Sequence, residues 1–82
     1  MNSSDYSIRP AVHDDIDSMY MIDSSCHAQW TREQFIHEQG LSLSHAFVAE
    51  KDGNIAGFIV IWYIPPEVQI QNIAVLSSCR RT

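Results

Sequence analysis

Two apolar, β-rich runs, Ala46–Glu50 and Ile55–Ile64, are separated only by Lys51-Asp52-Gly53-Asn54, and this feature most constrains the fold. Asp-Gly supplies the positive φ angles of a tight hairpin turn, so the two runs pair antiparallel. The longer run carries Ala56, Phe58, Val60, Trp62 and Ile64 on one face and Ile55, Ile59, Ile61 and Tyr63 on the other. A strand that is apolar on both faces needs cover on both sides. Pro65-Pro66 ends it, and Val68–Val75 reads as a further strand antiparallel to it.

The segment before the hairpin supplies helices. Tyr6–Arg9 reads as a short strand closed by Pro10, which has no N–H to continue a ladder. Asp14 is placed to cap a first helix, with Asp17 near its positive end and Ile16, Met19, Tyr20 and Ile22 toward one face; it should end near Ser24 and Ser25. Thr31-Arg32-Glu33-Gln34 has the form of a capping box, so a second helix should start at Thr31, bury Phe35 and Ile36, and stop at Gly40. The order strand, helix, helix, strand, strand, strand defines an α+β fold, a mainly antiparallel sheet with two helices on one face. Two helices make one apolar layer, so the other face and an outer strand edge are expected to lie open.

At 82 residues the chain is read as a single domain over residues 1–82, short enough to bury only about 60% of its unfolded surface. Its 5 Lys+Arg against 10 Asp+Glu give a net charge of −5, and the basic residues are scattered except for Arg80 and Arg81. Nucleic acid and anionic membrane surfaces need a basic patch and are not expected partners. The first residues have neither a basic start nor an apolar run, and Phe58–Ile64 is far short of the roughly 20 residues that span a bilayer. A soluble, cytoplasmic chain is expected. Cys26 and Cys79 stand far apart with no CxxC; the sequence leaves a disulfide between them open, and the favoured reading is two reduced side chains. His13, His27, His37 and His45 show no metal-ligand spacing, and the adjacent Cys26 and His27 diverge in direction, so neither a metal site nor a thiolate–base pair is expected.

Three segments carry a family resemblance: Ile8-Arg9-Pro10-Ala11 with the helix led by Asp14-Asp15-Ile16; His27-Ala28-Gln29-Trp30-Thr31-Arg32-Glu33-Gln34-Phe35; and Asn72-Ile73-Ala74-Val75 followed by Arg80-Arg81. Together they resemble the N-terminal half of the GNAT acetyltransferases, above all the ribosomal-protein-alanine N-acetyltransferases. The resemblance implies a partial GNAT fold and acetyl-CoA-dependent transfer of acetyl to a protein N-terminal amine. It implies that the last strand splays from its neighbour and that the backbone of Ile73, Ala74 and Val75 pairs with the pantetheine arm of acetyl-CoA. Arg80, Arg81 and Thr82 match the start of the family's pyrophosphate loop, whose main-chain N–H groups wrap phosphate. Read otherwise, Arg80 and Arg81 are a solvated tail.

Trp30 would help shape the substrate loop between the helices, or else pack their junction. The carboxylate and tyrosine that the subgroup uses as base and acid would fall beyond Thr82, so no catalytic residue is assigned. Other members place a general-base Glu where this chain has Gln69, which takes no proton at neutral pH, and Glu67 reads as a solvated strand-end carboxylate. The expectation is therefore a truncated, inactive family member. The alternative is a non-catalytic interaction module that self-associates through its open strand edge.

Overall fold

The computed structural model describes residues 6–76. Four strands, β1 (Ser7–Pro10), β2 (Ser44–Lys51), β3 (Asn54–Ile64) and β4 (Glu67–Val75), form one antiparallel sheet in the order β1-β2-β3-β4. Helices α1 (Ile16–Cys26) and α2 (Arg32–Gln39) fall between β1 and β2. The hairpin is as the Asp-Gly pair requires: Lys51 pairs with Asn54 while Asp52 and Gly53 turn through φ of 54° and 80°. Thr31 caps α2, its Oγ1 accepting from Gln34 N–H while Gln34 Oε1 accepts from Thr31 N–H at 2.8 Å.

The core lies between the helices and one face of the sheet. Ile16, Met19 and Ile22 of α1, Phe35 of α2, Val48, Phe58, Val60 and Ala74 are buried. Phe35 meets Phe58 edge to face with 5.5 Å between ring centres, which locks α2 to β3. Tyr20 and Ile36, expected inside, are instead exposed on the shoulders of their helices, because one narrow stripe per helix suffices to cover this face.

A bulge corrects the sequence-based division of β3. Ala49 pairs with Gly57 and Glu50 with Ile55, leaving Ala56 as the extra residue. The insertion reverses the side-chain alternation, so Ile55 packs against the helix-side core with Phe58 rather than on the opposite face. The opposite face carries Ile8, Phe47, Ile59, Ile73 and Val75 around one apolar depression, and Ile8, Val68 and Ile70 are 69%, 58% and 61% exposed. This open face was expected from the pattern of β3.

The start of α1 also differs. A short 3₁₀ turn, His13–Asp15, precedes the helix, and Asp15 rather than Asp14 does the polar work: its Oδ2 accepts from Val12 N–H at 2.8 Å. Arg9 grips Asp15 with two nitrogens, at 2.8 and 3.0 Å, and Glu50 with its Nε at 2.9 Å, so one guanidinium ties β1, β2 and the entry to α1. The hydrogen bond from Arg9 holds the Asp15 carboxyl below the usual aspartate range, against the opposing effect of burial, and the same contacts raise Arg9. Cys26 is disulfide-bonded, which corrects the expectation of reduced cysteines; spacing along the chain carries no information about spatial approach. Cys79 lies outside the described residues.

Candidate functional site

Sheet order places β4 at an edge. Among the described residues it is paired on one side only, by β3, so its outer row of backbone N–H and C=O groups is open. Val60 pairs with Asn72 and Ile61 with Ile70, which leaves Gln71 as an extra residue and bends β4 at its middle. Beyond the bulge, Ile73 and Val75 point to the open face and Ala74 into the core. Gly57 of β3 lets the two strands close here: a Cβ at that position would lie 3.0 Å from the Ala74 carbonyl oxygen.

Below the bulge sits a buried polar cluster that sequence reasoning missed. Asp23, near the end of α1, is fully buried, and its carboxylate accepts two hydrogen bonds and lies against a histidine nitrogen. Its Oδ2 takes Trp30 N–H at 2.9 Å, and its Oδ1 takes Asn72 Nδ2–H at 3.0 Å and lies 2.9 Å from His27 Nε2. Asn72 Oδ1 is in turn 3.0 Å from the same His27 nitrogen. One carboxylate thus joins the end of α1, the loop before α2 and the bulged strand. The loop is shaped to allow it: Ala28 adopts a left-handed φ of 49°, and the amides of His27 and Ala28 both donate to the Asp23 carbonyl. A signal for Asp23 exists in the sequence, since it follows Ile16 by seven residues on the apolar stripe of α1, an anomalous place for a charge.

Trp30 is half-buried and sits edge-on to Phe35, 4.9 Å between ring centres, so it packs the junction between the helices. The same junction is fixed to β4 through Asp23. At the far end of β4, Gln69 pairs with Trp62, whose Nε1 donates to Glu38 Oε1 at 3.0 Å; Ser44 Oγ donates to the same oxygen at 2.7 Å. Glu67 is exposed at the strand start. The structure therefore brings Trp30, Asn72 and the backbone of Ile73, Ala74 and Val75 to one region, while Arg80, Arg81 and Thr82 lie outside the described residues. Among the described residues no group of His, Cys, Asp and Glu is arranged to hold a metal ion.

An antiparallel sheet backed by two helices is the arrangement that the sequence segments suggested, to which the structure adds the bulge of β4 and its tie to the loop between the helices. The model of the acetyltransferase (GNAT) family matches residues 11–82. The chain belongs to the GNAT family. A Bacillus subtilis (strain 168) protein provisionally named ribosomal protein bS18-alanine N-acetyltransferase is 42% identical over 69 residues, covering 82% of this chain and 46% of its own length. The crystal structure of the ribosomal-protein-S18-alanine N-acetyltransferase from Escherichia coli superposes with a TM-score of 0.80 at 26% identity, covering 94% of this chain and 50% of that one. The chain thus spans about half the length of these GNAT relatives.

Proposed function

We propose that this GNAT chain serves acetyl transfer from acetyl-CoA to the N-terminal alanine amine of a ribosomal protein, a cytoplasmic reaction, with β4 as the cofactor strand. The observation that carries this reading is the open outer edge of β4 beyond the Gln71 bulge. There the main chain of Ile73, Ala74 and Val75 can pair with the amides of a pantetheine arm as a further strand would. Backbone N–H groups at such an edge polarise a thioester carbonyl, and the fixed strand holds it against an incoming amine. Trp30, anchored by its ring on Phe35 and by its N–H on Asp23, lines the approach of the acceptor. Arg80, Arg81 and Thr82 are assigned to the pyrophosphate end of the cofactor.

Calorimetric titration of the chain with acetyl-CoA tests the reading. Saturable binding that is weakened by strand-disrupting substitution in β4 is expected; absence of binding would remove the chain-level cofactor role while leaving its family unchanged. A second reading rests on the uncovered apolar face and open edge, with Ile8, Val68 and Ile70 each more than half exposed: association of two copies through this surface. Sedimentation equilibrium decides it, a dimer that Ile70→Lys dissociates being the expected result and a monomer at high concentration the refuting one.

A further inference from the structure

A cavity of about 210 Å³ opens between α1, α2 and β2, away from the edge of β4. Its floor is apolar and reaches the core: Met19 of α1, Phe35 of α2 and Val60 of β3 line it, and all three are buried. Ala46 of β2 also lines it and leaves space that a larger side chain would fill. Glu38, in the last turn of α2, and Ser44, at the start of β2, add polar groups to the wall. No residue of β4 lines this cavity, so it is separate from the strand edge assigned above to acetyl-CoA.

The Glu38 carboxylate is held in place before any ligand arrives. Ser44 Oγ donates to its Oε1 at 2.7 Å, and Trp62 Nε1 donates to the same oxygen at 3.0 Å. Both donors sit on one oxygen, and among the described residues Oε2 has no hydrogen-bond partner and no Lys, Arg or His pairs with Glu38. The end of α2 already carries partial negative charge on its carbonyls, so an acid there works against the helix unless a cation joins it. We propose that this cavity binds a small primary ammonium compound whose apolar body is about the size of a benzene ring. The ammonium donates to Glu38 Oε2, a charge-assisted bond, and the body lies over Met19, Phe35 and Val60. The volume is sufficient, because an apolar cavity of about 150 Å³ already admits benzene. A metal ion does not suit these walls: Glu38 is the single acid among the described lining residues, and most of the remainder is hydrocarbon.

Benzylamine is the probe and benzyl alcohol its neutral counterpart, titrated at neutral pH into the full chain labelled with 15N and with 13C at the methionine methyls. The Trp62 indole N–H, bonded to Glu38 Oε1, reports on the charged end of the site, and the Met19 methyl reports on the apolar end. Benzylamine should move both resonances saturably with a Kd of about 1 mM, and benzyl alcohol should bind about tenfold more weakly, the worth of one hydrogen bond to a charged group. Glu38→Gln keeps a carbonyl oxygen for Ser44 and Trp62 while removing the charge; it should weaken benzylamine about tenfold and leave benzyl alcohol unchanged. Equal binding of the two probes to the parent chain, or a Trp62 shift with the Met19 methyl unmoved, overturns the inference, as does the absence of any shift. Benzylamine shifts in a chain that does not bind acetyl-CoA support this site and remove the cofactor reading; acetyl-CoA binding without benzylamine shifts removes this site alone.

Discussion

Replacing Asp23 by alanine is the sharpest test of how this half-covered sheet is held together. The substitution strands the Trp30 amide and the Asn72 side-chain amide, which donate to this carboxylate, and removes the partner that lies against His27 Nε2. His27 is partly exposed and can turn to water, but Asn72 is 2% exposed, and the Trp30 amide loses the partner that holds its loop. Two buried donors without partners cost about 1–3 kcal/mol each, which agrees with about 3–5 kcal/mol for removing one member of a buried charged set. We therefore expect a loss of about 4 kcal/mol. A domain of this length has only about 4–12 kcal/mol of stability in all, so the variant should be near its unfolding threshold at room temperature. Urea unfolding followed by tryptophan fluorescence reads this as a fall in midpoint of about 2 M. Asp23→Asn preserves shape and keeps one oxygen for Asn72 and His27, but turns an amide against Trp30 N–H, and should lose about 2 kcal/mol by the cost of one unmade buried bond. An Asp23→Ala midpoint within about 0.5 M of the parent would refute the claim that this carboxylate joins α1 to β4.

Further outcomes follow from other contacts. Gly57→Ala places a Cβ 3.0 Å from the Ala74 carbonyl oxygen and 3.2 Å from Val75 Cγ2, so β4 must shift; a loss of about 1–3 kcal/mol in thermal unfolding is expected, together with weaker acetyl-CoA binding by calorimetry. Thr31→Ala removes the cap on Gln34 N–H and should cost about 1 kcal/mol in the same melt, with no change in sheet signal. The Asp15 carboxyl is lowered in the folded state, chiefly by Arg9, so its contribution is complete above the ordinary value of 3.8 and is lost as pH falls below it. Acid titration of stability should therefore drop more steeply in the parent than in Asp15→Asn, and parallel curves would show that the Arg9 contact contributes nothing.

Local chemistry determined much of this protein from the sequence alone. Asp52-Gly53 dictates the hairpin because its backbone angles belong to the turn itself, and Thr31 with Gln34 dictates the start of α2 because the capping bonds close within three residues. The double-faced apolar pattern of β3 announced a sheet with one face uncovered, and Asn72-Ile73-Ala74-Val75 marked the family and its strand. Of the candidate site, the sequence offered only those main-chain positions and Trp30 within the described residues, and Arg80, Arg81 and Thr82 outside them.

What escaped the sequence depends on partners brought together by folding. The bulges at Ala56 and Gln71 arise from how neighbouring strands align, and the first of them moved Ile55 to the core side against simple alternation. Asp15 displaced Asp14 because Arg9, on another element, claims it. Asp23 meets Asn72 across 49 residues, and only that meeting turns an out-of-place acid on a helix into the clasp that ties the end of α1 to β4. Hydrogen bonds within a turn or a helix end can be read from adjacent residues; a buried charge acquires its meaning from atoms that only the tertiary structure brings within 3.0 Å of it.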